Sequence, residues 1–286
     1  MPRIGLQTMM LKESVSEVGA FDTLKKATEI GYSVFEISQI PLSAENVAQF
    51  NRARSELGVT VAAISALFTT PPGMTAASLT KDFDKIVEDA ASLGTSTVRM
   101  PMPPLEAMTS TAGLIEFAEA ADAMARRLAR HDIELCYHNH HFDFARFDGV
   151  SQFDLIAKHA PSLTFEIDVH WAYRGGVDPA RLIAEHASRV ALVHLRDYRV
   201  DRIPPDAFAS AASGDVPAML AALAALVHDA EVGEGALDMA GIIEASLAAN
   251  VGYLIVEQED LLGRDPFDCV ALSQRNLVEL GYGRLF

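Results

Sequence analysis

The sequence predicts an α/β chain closed into a (β/α)8 TIM barrel, a single domain over residues 1–286. Short apolar runs alternate with longer helical stretches from end to end, making eight strand–helix units. The runs are continuously apolar, the pattern of strands buried on both faces of a parallel sheet. Eight units within 286 residues suit a closed barrel, and no glycine-rich phosphate loop follows the first run to suggest a doubly wound sheet.

Ile4–Gln7 reads as the first strand, followed by a helix over Phe21–Ile30 that Gly31 stops. Ser33–Ile37 is the second, then a helix over Ala44–Leu57 with Gly58 just past its end. Val59–Ile64 precedes a helix over Leu79–Leu93, closed by Gly94. Thr97–Met100 runs into the loop Pro101–Pro104 and a long alanine-rich helix, Thr111–Arg130. Ile133–His138 is fifth, with a helix near Phe153–His159, and Leu163–Asp168 is sixth. Val190–Leu195 and Tyr253–Glu257 are the last two strands, the latter flanked by helices over Met239–Ala249 and Pro266–Leu280. Between them Tyr198–Glu231 makes a long excursion with an extra helix at Val216–His228. An insertion of that length after a strand suggests a lid or an oligomer contact, with Ala218–Val227 as its apolar surface.

Composition narrows the function. Asp and Glu number 39 against 23 Lys and Arg, a formal net charge of -16, which argues against a nucleic-acid surface. Two cysteines, Cys136 and Cys269, fit a reducing compartment rather than a disulfide framework. With no leader sequence and no apolar run near the ~20 residues that span a bilayer, the expected location is cytoplasmic, without a membrane partner.

The chemistry gathers where strands end. In an extended chain His138 and His140 share a face, with Asn139 on the other. Two such imidazoles are costly to bury unless something binds them. Asp168, His194 and Glu257 close strands six, seven and eight, at the barrel face where active sites are built. Imidazoles and carboxylates with room left for water are the ligand set of a catalytic divalent-metal site.

Gly5-Leu6-Gln7, Tyr137-His138-Asn139-His140, Phe165-Glu166-Ile167-Asp168, Val193-His194-Leu195-Arg196-Asp197, Val232-Gly233-Glu234-Gly235 and Val256-Glu257 resemble the motifs of the xylose-isomerase-like TIM-barrel superfamily. Its members include sugar phosphate isomerases/epimerases, ketose 3-epimerases and inosose dehydratases. The resemblance covers nearly the whole chain and departs most over Tyr198–Glu231. It implies a divalent ion, Mn2+ first and Co2+, Mg2+ or Zn2+ as alternatives, held by His138, Asp168, His194 and Glu257. In the epimerase branch the first ligand is a glutamate. With His138 there, one of the two carboxylates that shuttle a proton across the substrate carbon is lost. A His-x-His strand end resembles the dehydratase members instead, where His140 would move the proton.

Relatives often carry Asp-x-x-His where this chain has Asp168-Val169-His170-Trp171. Trp171 would then wall the substrate, and His170 is the candidate for the displaced histidine. Arg196 would face substrate oxygens, with Asp197 holding it, and Glu36 would reach a substrate hydroxyl. Glu166, one layer deeper than Asp168, would orient a ligand histidine or replace His138 as a ligand. The implied activity is metal-dependent isomerisation or epimerisation of a small keto-sugar or polyol through an enediolate, with Glu257 or His140 as base. The alternative is dehydration of an inosose-like keto-cyclitol or keto-sugar. An endonuclease IV-like reading needs more ligands and a basic groove, and a non-catalytic sugar-binding barrel is the third. Lack of a phosphate loop favours an unphosphorylated sugar or cyclitol, and the family suggests a homodimer.

Overall fold

A computed structural model describes residues 2–286, and its barrel strands fall on the eight apolar runs. They are β1 (Arg3–Gln7), β2 (Val34–Ile37), β3 (Thr60–Ser65), β4 (Thr97–Met100), β5 (Glu134–His138), β6 (Thr164–Asp168), β7 (Val190–Leu195) and β8 (Tyr253–Val256). All pair in parallel with their chain neighbours, and β8 closes on β1 from Arg3↔Tyr253 to Leu6↔Val256. The covering helices are α1 (Ala20–Ile30), α2 (Ala44–Leu57), α3 (Phe83–Leu93), α4 (Thr111–Ala129), α5 (Gln152–His159), α6 (Pro179–Glu185), α7 (Met239–Ala248) and α8 (Pro266–Leu277).

Local chemistry sets their ends. Ser43, Ser110, Ser151, Asp178, Asp238 and Asp265 each cap a helix N-terminus by accepting a backbone N–H. Gly58 and Gly94 end α2 and α3 in the left-handed conformation. Helix α3 starts at Phe83 rather than Leu79, because Ser78 pairs with Leu67 and donates its N–H to Asp82. Helix α6 was not anticipated, although Asp178-Pro179 is a standard start signal.

The excursion after β7 corrects the expected helix at Val216–His228. Two short helices, Pro205–Ser213 and Val216–Ala224, are separated by Gly214 at φ 78. Val227–Ala230 is then a strand, antiparallel to Asp197–Val200, with His228 opposite Arg199. β-branched Val227 suits the pairing, and the helices leave Phe208, Val216 and Leu220 exposed.

Inside the barrel the floor is apolar. Val34, Cys136, Leu192 and Ile255 form a cluster separate from the strand–helix core. A Cβ on Gly5 would lie 2.8 Å from Ile255 and 2.9 Å from Val34, so only glycine leaves room there. Among the described residues no helix is long and apolar enough to cross a membrane.

Candidate active site

The period of two that places the floor also places the chemistry. Two residues beyond Val34, Cys136, Leu192 and Ile255 come Glu36, His138, His194 and Glu257, aimed into the barrel one layer nearer the mouth. The strand register shifts between Phe35 and Glu36, and again between Phe165 and Glu166. In both cases the extra residue lies on the partner strand, Ala62 and Ala191, so the carboxylate strands keep their alternation.

Glu36 and Glu166 form a buried layer beneath the mouth with Arg99, Gln7 and the two histidines. His138 Nδ1 lies 3.0 Å from Glu166 Oε2, and His194 Nε2 lies 2.8 Å from Glu36 Oε2. Gln7 donates to Glu36 Oε1 at 2.9 Å, and Arg99 Nε donates to Glu166 Oε2 at 2.6 Å. The carboxylates therefore fix both rings, turning Nδ1 of His194 upward to the mouth. Burial pushes the Glu36 carboxyl up to about 7, helped by Glu166. Burial alone would keep His194 neutral, but Glu166, Glu257 and Glu36 carry its pKa well above the usual range. Burial holds His138 neutral.

At the mouth Asp168, His194 and Glu257 converge. Asp168 Oδ1 accepts the Trp171 N–H at 2.7 Å, leaving Oδ2 free. His194 Nδ1 lies 2.6 Å from Glu257 Oε2 and 3.9 Å from Asp168 Oδ2. All three atoms are buried and none has a hydrogen-bond partner, even across the 2.6 Å contact. Close approach without hydrogen-bond angles is the geometry of ligands aimed at a common point. His138, Asp168 and His194 each bring a ligand atom within 4.8 Å of the others. Two imidazoles and two carboxylates fit a divalent cation of the manganese–cobalt–zinc group. An ion entering here must displace the His194 proton. Asn139 locks β5 to β6 by donating to Asp168 O at 3.3 Å and accepting Asp168 N–H at 3.0 Å.

The other expected residues gather around this point. His140 lies just past β5 as the cap of a 3-10 turn rather than within the strand, yet its ring is 4.8 Å from His138. It stacks on Phe142, its Nδ1 is unpartnered, and burial pushes its pKa down to about 3. Its backbone N–H is held by Asp143, which also accepts from Tyr137 and Gln152. Trp171 stacks on the Arg196 guanidinium at 4.4 Å and meets His170 edge to face. Both His170 ring nitrogens and Trp171 Nε1 are buried without partners.

Two expectations are corrected. Glu36 does not reach toward the mouth: it is fully buried beneath His194 and bonded to it, so a substrate hydroxyl cannot be its partner. Asp197 does not hold Arg196. Asp229 does, at 3.0 and 3.2 Å, with Glu259 at 2.8 Å, because the hairpin after β7 folds Asp229 back over the arginine. Asp197 accepts four backbone N–H groups instead, from Tyr198, Gly233, Gly235 and Leu237. Arg99, Asp143, Asp229 and Glu259 were missed. Only Arg99 carried a signal, as the one Lys or Arg in the interior of a barrel strand.

A closed parallel barrel with buried imidazoles and carboxylates at the C-terminal ends of its strands defines the class: a TIM barrel carrying a polar active-face site. The sequence matches the xylose isomerase-like TIM barrel model over residues 24–268, and the chain belongs to that family. Its fold is similar to a sugar phosphate isomerase/epimerase from Parabacteroides distasonis ATCC 8503 (TM-score 0.73, 20% identity, 98% of each chain covered). It is also similar to the probable 3-DHS dehydratase AsbF from Bacillus anthracis (TM-score 0.69, 14% identity, 96% of this chain and 98% of that one). An L-ribulose 3-epimerase matches with a TM-score of 0.67 at 16% identity, over 100% and 96% of the two chains. In sequence, 160 residues are 28% identical to the rhizopine catabolism protein MocC of Rhizobium meliloti. That match spans 55% of this chain and 46%, about half, of the relative.

Proposed function

We propose that this protein is a divalent-metal-dependent isomerase or epimerase of a small, unphosphorylated keto-sugar or polyol, working through an enediolate. The observation that carries the reading is the convergence of three buried, unpartnered ligand atoms, Asp168 Oδ2, His194 Nδ1 and Glu257 Oε2, beside His138. A divalent ion held by these four residues, Mn2+ in the first instance, would polarise a carbonyl and its neighbouring hydroxyl and acidify the C–H between them. Glu257 is the carboxylate placed to take that proton, and His194 and Arg196 hold it ionised against its burial. His140, neutral and with a free Nδ1, is the second group able to take or return a proton. Arg196, backed by Asp229 and stacked on Trp171, supplies fixed positive charge beside the developing enediolate. Trp171, His170 and Phe142 line the site with rings that keep water out.

One observation favours a second reading, dehydration of an inosose-like keto-cyclitol or keto-sugar. His138 is bonded through Nδ1 to Glu166, so no second carboxylate faces Glu257 from β5. The acid–base pair is then Glu257 and His140, two unlike groups suited to one-way proton transfer and loss of a β-hydroxyl. The fold similarity to a probable dehydratase is consistent with this.

The test is metal content of protein purified without chelator, beside His194→Ala. About one ion per chain, lost in the variant, supports the site. A panel of ketoses and inososes in D2O then separates the readings: solvent deuterium at carbon supports isomerisation or epimerisation, and a conjugated product supports dehydration. No metal, even after Mn2+ supplementation, rejects the ligand set.

A further inference from the structure

His194 belongs to two ligand clusters. At the mouth it joins His138 and Asp168, and beneath the mouth it joins Glu36 and Glu166, each set lying within 4.8 Å. The two differ in whether a fixed cation already lies among them. At the mouth Asp168 Oδ2 and His194 Nδ1 have no hydrogen-bond partner. Beneath it His194 Nε2 faces Glu36 at 2.8 Å and Glu166 Oε1 at 3.0 Å, the latter oxygen without a hydrogen bond, and a cation already stands between the carboxylates. Arg99 Nε is 2.6 Å from Glu166 Oε2 and 3.4 Å from Glu36 Oε1.

We infer that Arg99 is a built-in cation occupying the place of a second metal ion, so that the barrel takes one ion at its mouth and none beneath. Two buried carboxylates need a compensating charge. A guanidinium supplies one that is never deprotonated and never dissociates. Arg99 reaches the layer from β4, whose other residues are Thr97, Val98 and Met100. Its polar partners are the two carboxylates, with no hydrogen bond to either histidine. It steadies Glu166, which holds His138 Nδ1, and Glu36, which holds His194 Nε2. Arg99 is thus a positioning residue for both ligand rings.

The inference rests on the proposed mouth site, and the test separates the two. Wild type, Arg99→Ala and Arg99→Lys are equilibrated with Mn2+ at about pH 8, where protons compete less for ligands. They are then desalted and bound manganese per chain is counted. The expected counts are one, two and one. A gain of one ion in Arg99→Ala over wild type supports the inference, and no gain overturns it whatever wild type holds. A wild-type count of zero with a gain in the variant rejects only the mouth reading, and zero in both overturns both. Arg99→Lys retaining the wild-type count separates lost charge from lost shape, whereas a second ion in that variant overturns the inference. If Arg99→Ala purifies unfolded, refolding that requires Mn2+ and brings the extra ion supports it. Failure to refold with Mn2+ overturns it.

Discussion

Asp197→Asn tests the strongest anchor of the loop that follows the hairpin. Oδ1 accepts from Tyr198 at 2.9 Å and Leu237 at 3.2 Å, while Oδ2 accepts from Gly233 at 3.2 Å and Gly235 at 3.1 Å. The carboxylate is fully buried, and a side chain on Gly235 would collide with it, which explains that glycine. In the asparagine variant one oxygen keeps two of the four donors, and the amide nitrogen faces the other two, donor against donor. Two lost bonds to a charged acceptor cost about 1.5–3 kcal/mol each. Burial raises the Asp197 pKa, so replacing the desolvated carboxylate with a neutral amide returns part of that. The net expectation is a loss of about 2–4 kcal/mol, or about 3–7 °C in Tm at this chain length. Urea unfolding followed by circular dichroism gives the free energy, and hydrogen exchange reads the Gly233 and Gly235 amides directly. A variant within about 0.5 kcal/mol of wild type, with unchanged exchange at both glycines, would refute the reasoning.

Glu36→Gln removes the carboxylate beneath His194 and is expected to weaken Mn2+ binding by about 10–100-fold. Mn2+ quenching of Trp171, the only tryptophan, reads this, and an unchanged affinity rejects the orienting role. Arg196→Lys keeps the charge but cannot hold Asp229 and Glu259 while stacking on Trp171. A loss of about 1.5–3 kcal/mol with a red-shifted Trp171 emission is expected, and an unshifted spectrum counts against the stack. Burial pushes the Asp143 carboxyl from 3.8 up to about 7. Between those values the folded state keeps a proton the unfolded state has lost, so stability falls as pH rises from about 4 to 7, by up to about 4 kcal/mol. Asp143→Asn lacks that slope, and unfolding free energies that run parallel with pH would reject the shift.

The barrel was legible because its signals are local. Continuous apolar runs, with Gly58 and Gly94 at helix ends, each act within a few residues. The strand-end rule brought His138, Asp168, His194 and Glu257 to one place, since only closure was needed to gather them. What failed depends on pairing across the barrel. Glu36 read as a mouth residue because alternation says which face a side chain takes, but not its depth or its partner. Asp197 beside Arg196 looked like an ion pair from chain adjacency, yet neighbours in an extended strand point apart, and the true partner Asp229 arrives through a hairpin. That hairpin was hidden because the alanine-rich helical pattern ran on past Ala224 into Val227 and His228.

The barrel's seam has a consequence for how the protein is made. β1 and β8 meet only when Tyr253–Val256 docks beside Arg3–Gln7, and Glu257 arrives with that last strand. During synthesis the growing sheet therefore carries two open edges, and the mouth lacks the Glu257 carboxylate until that strand emerges. Contacts this distant in sequence close slowly. Chains cut short before Glu257 should accumulate as sticky open sheets rather than as weak binders.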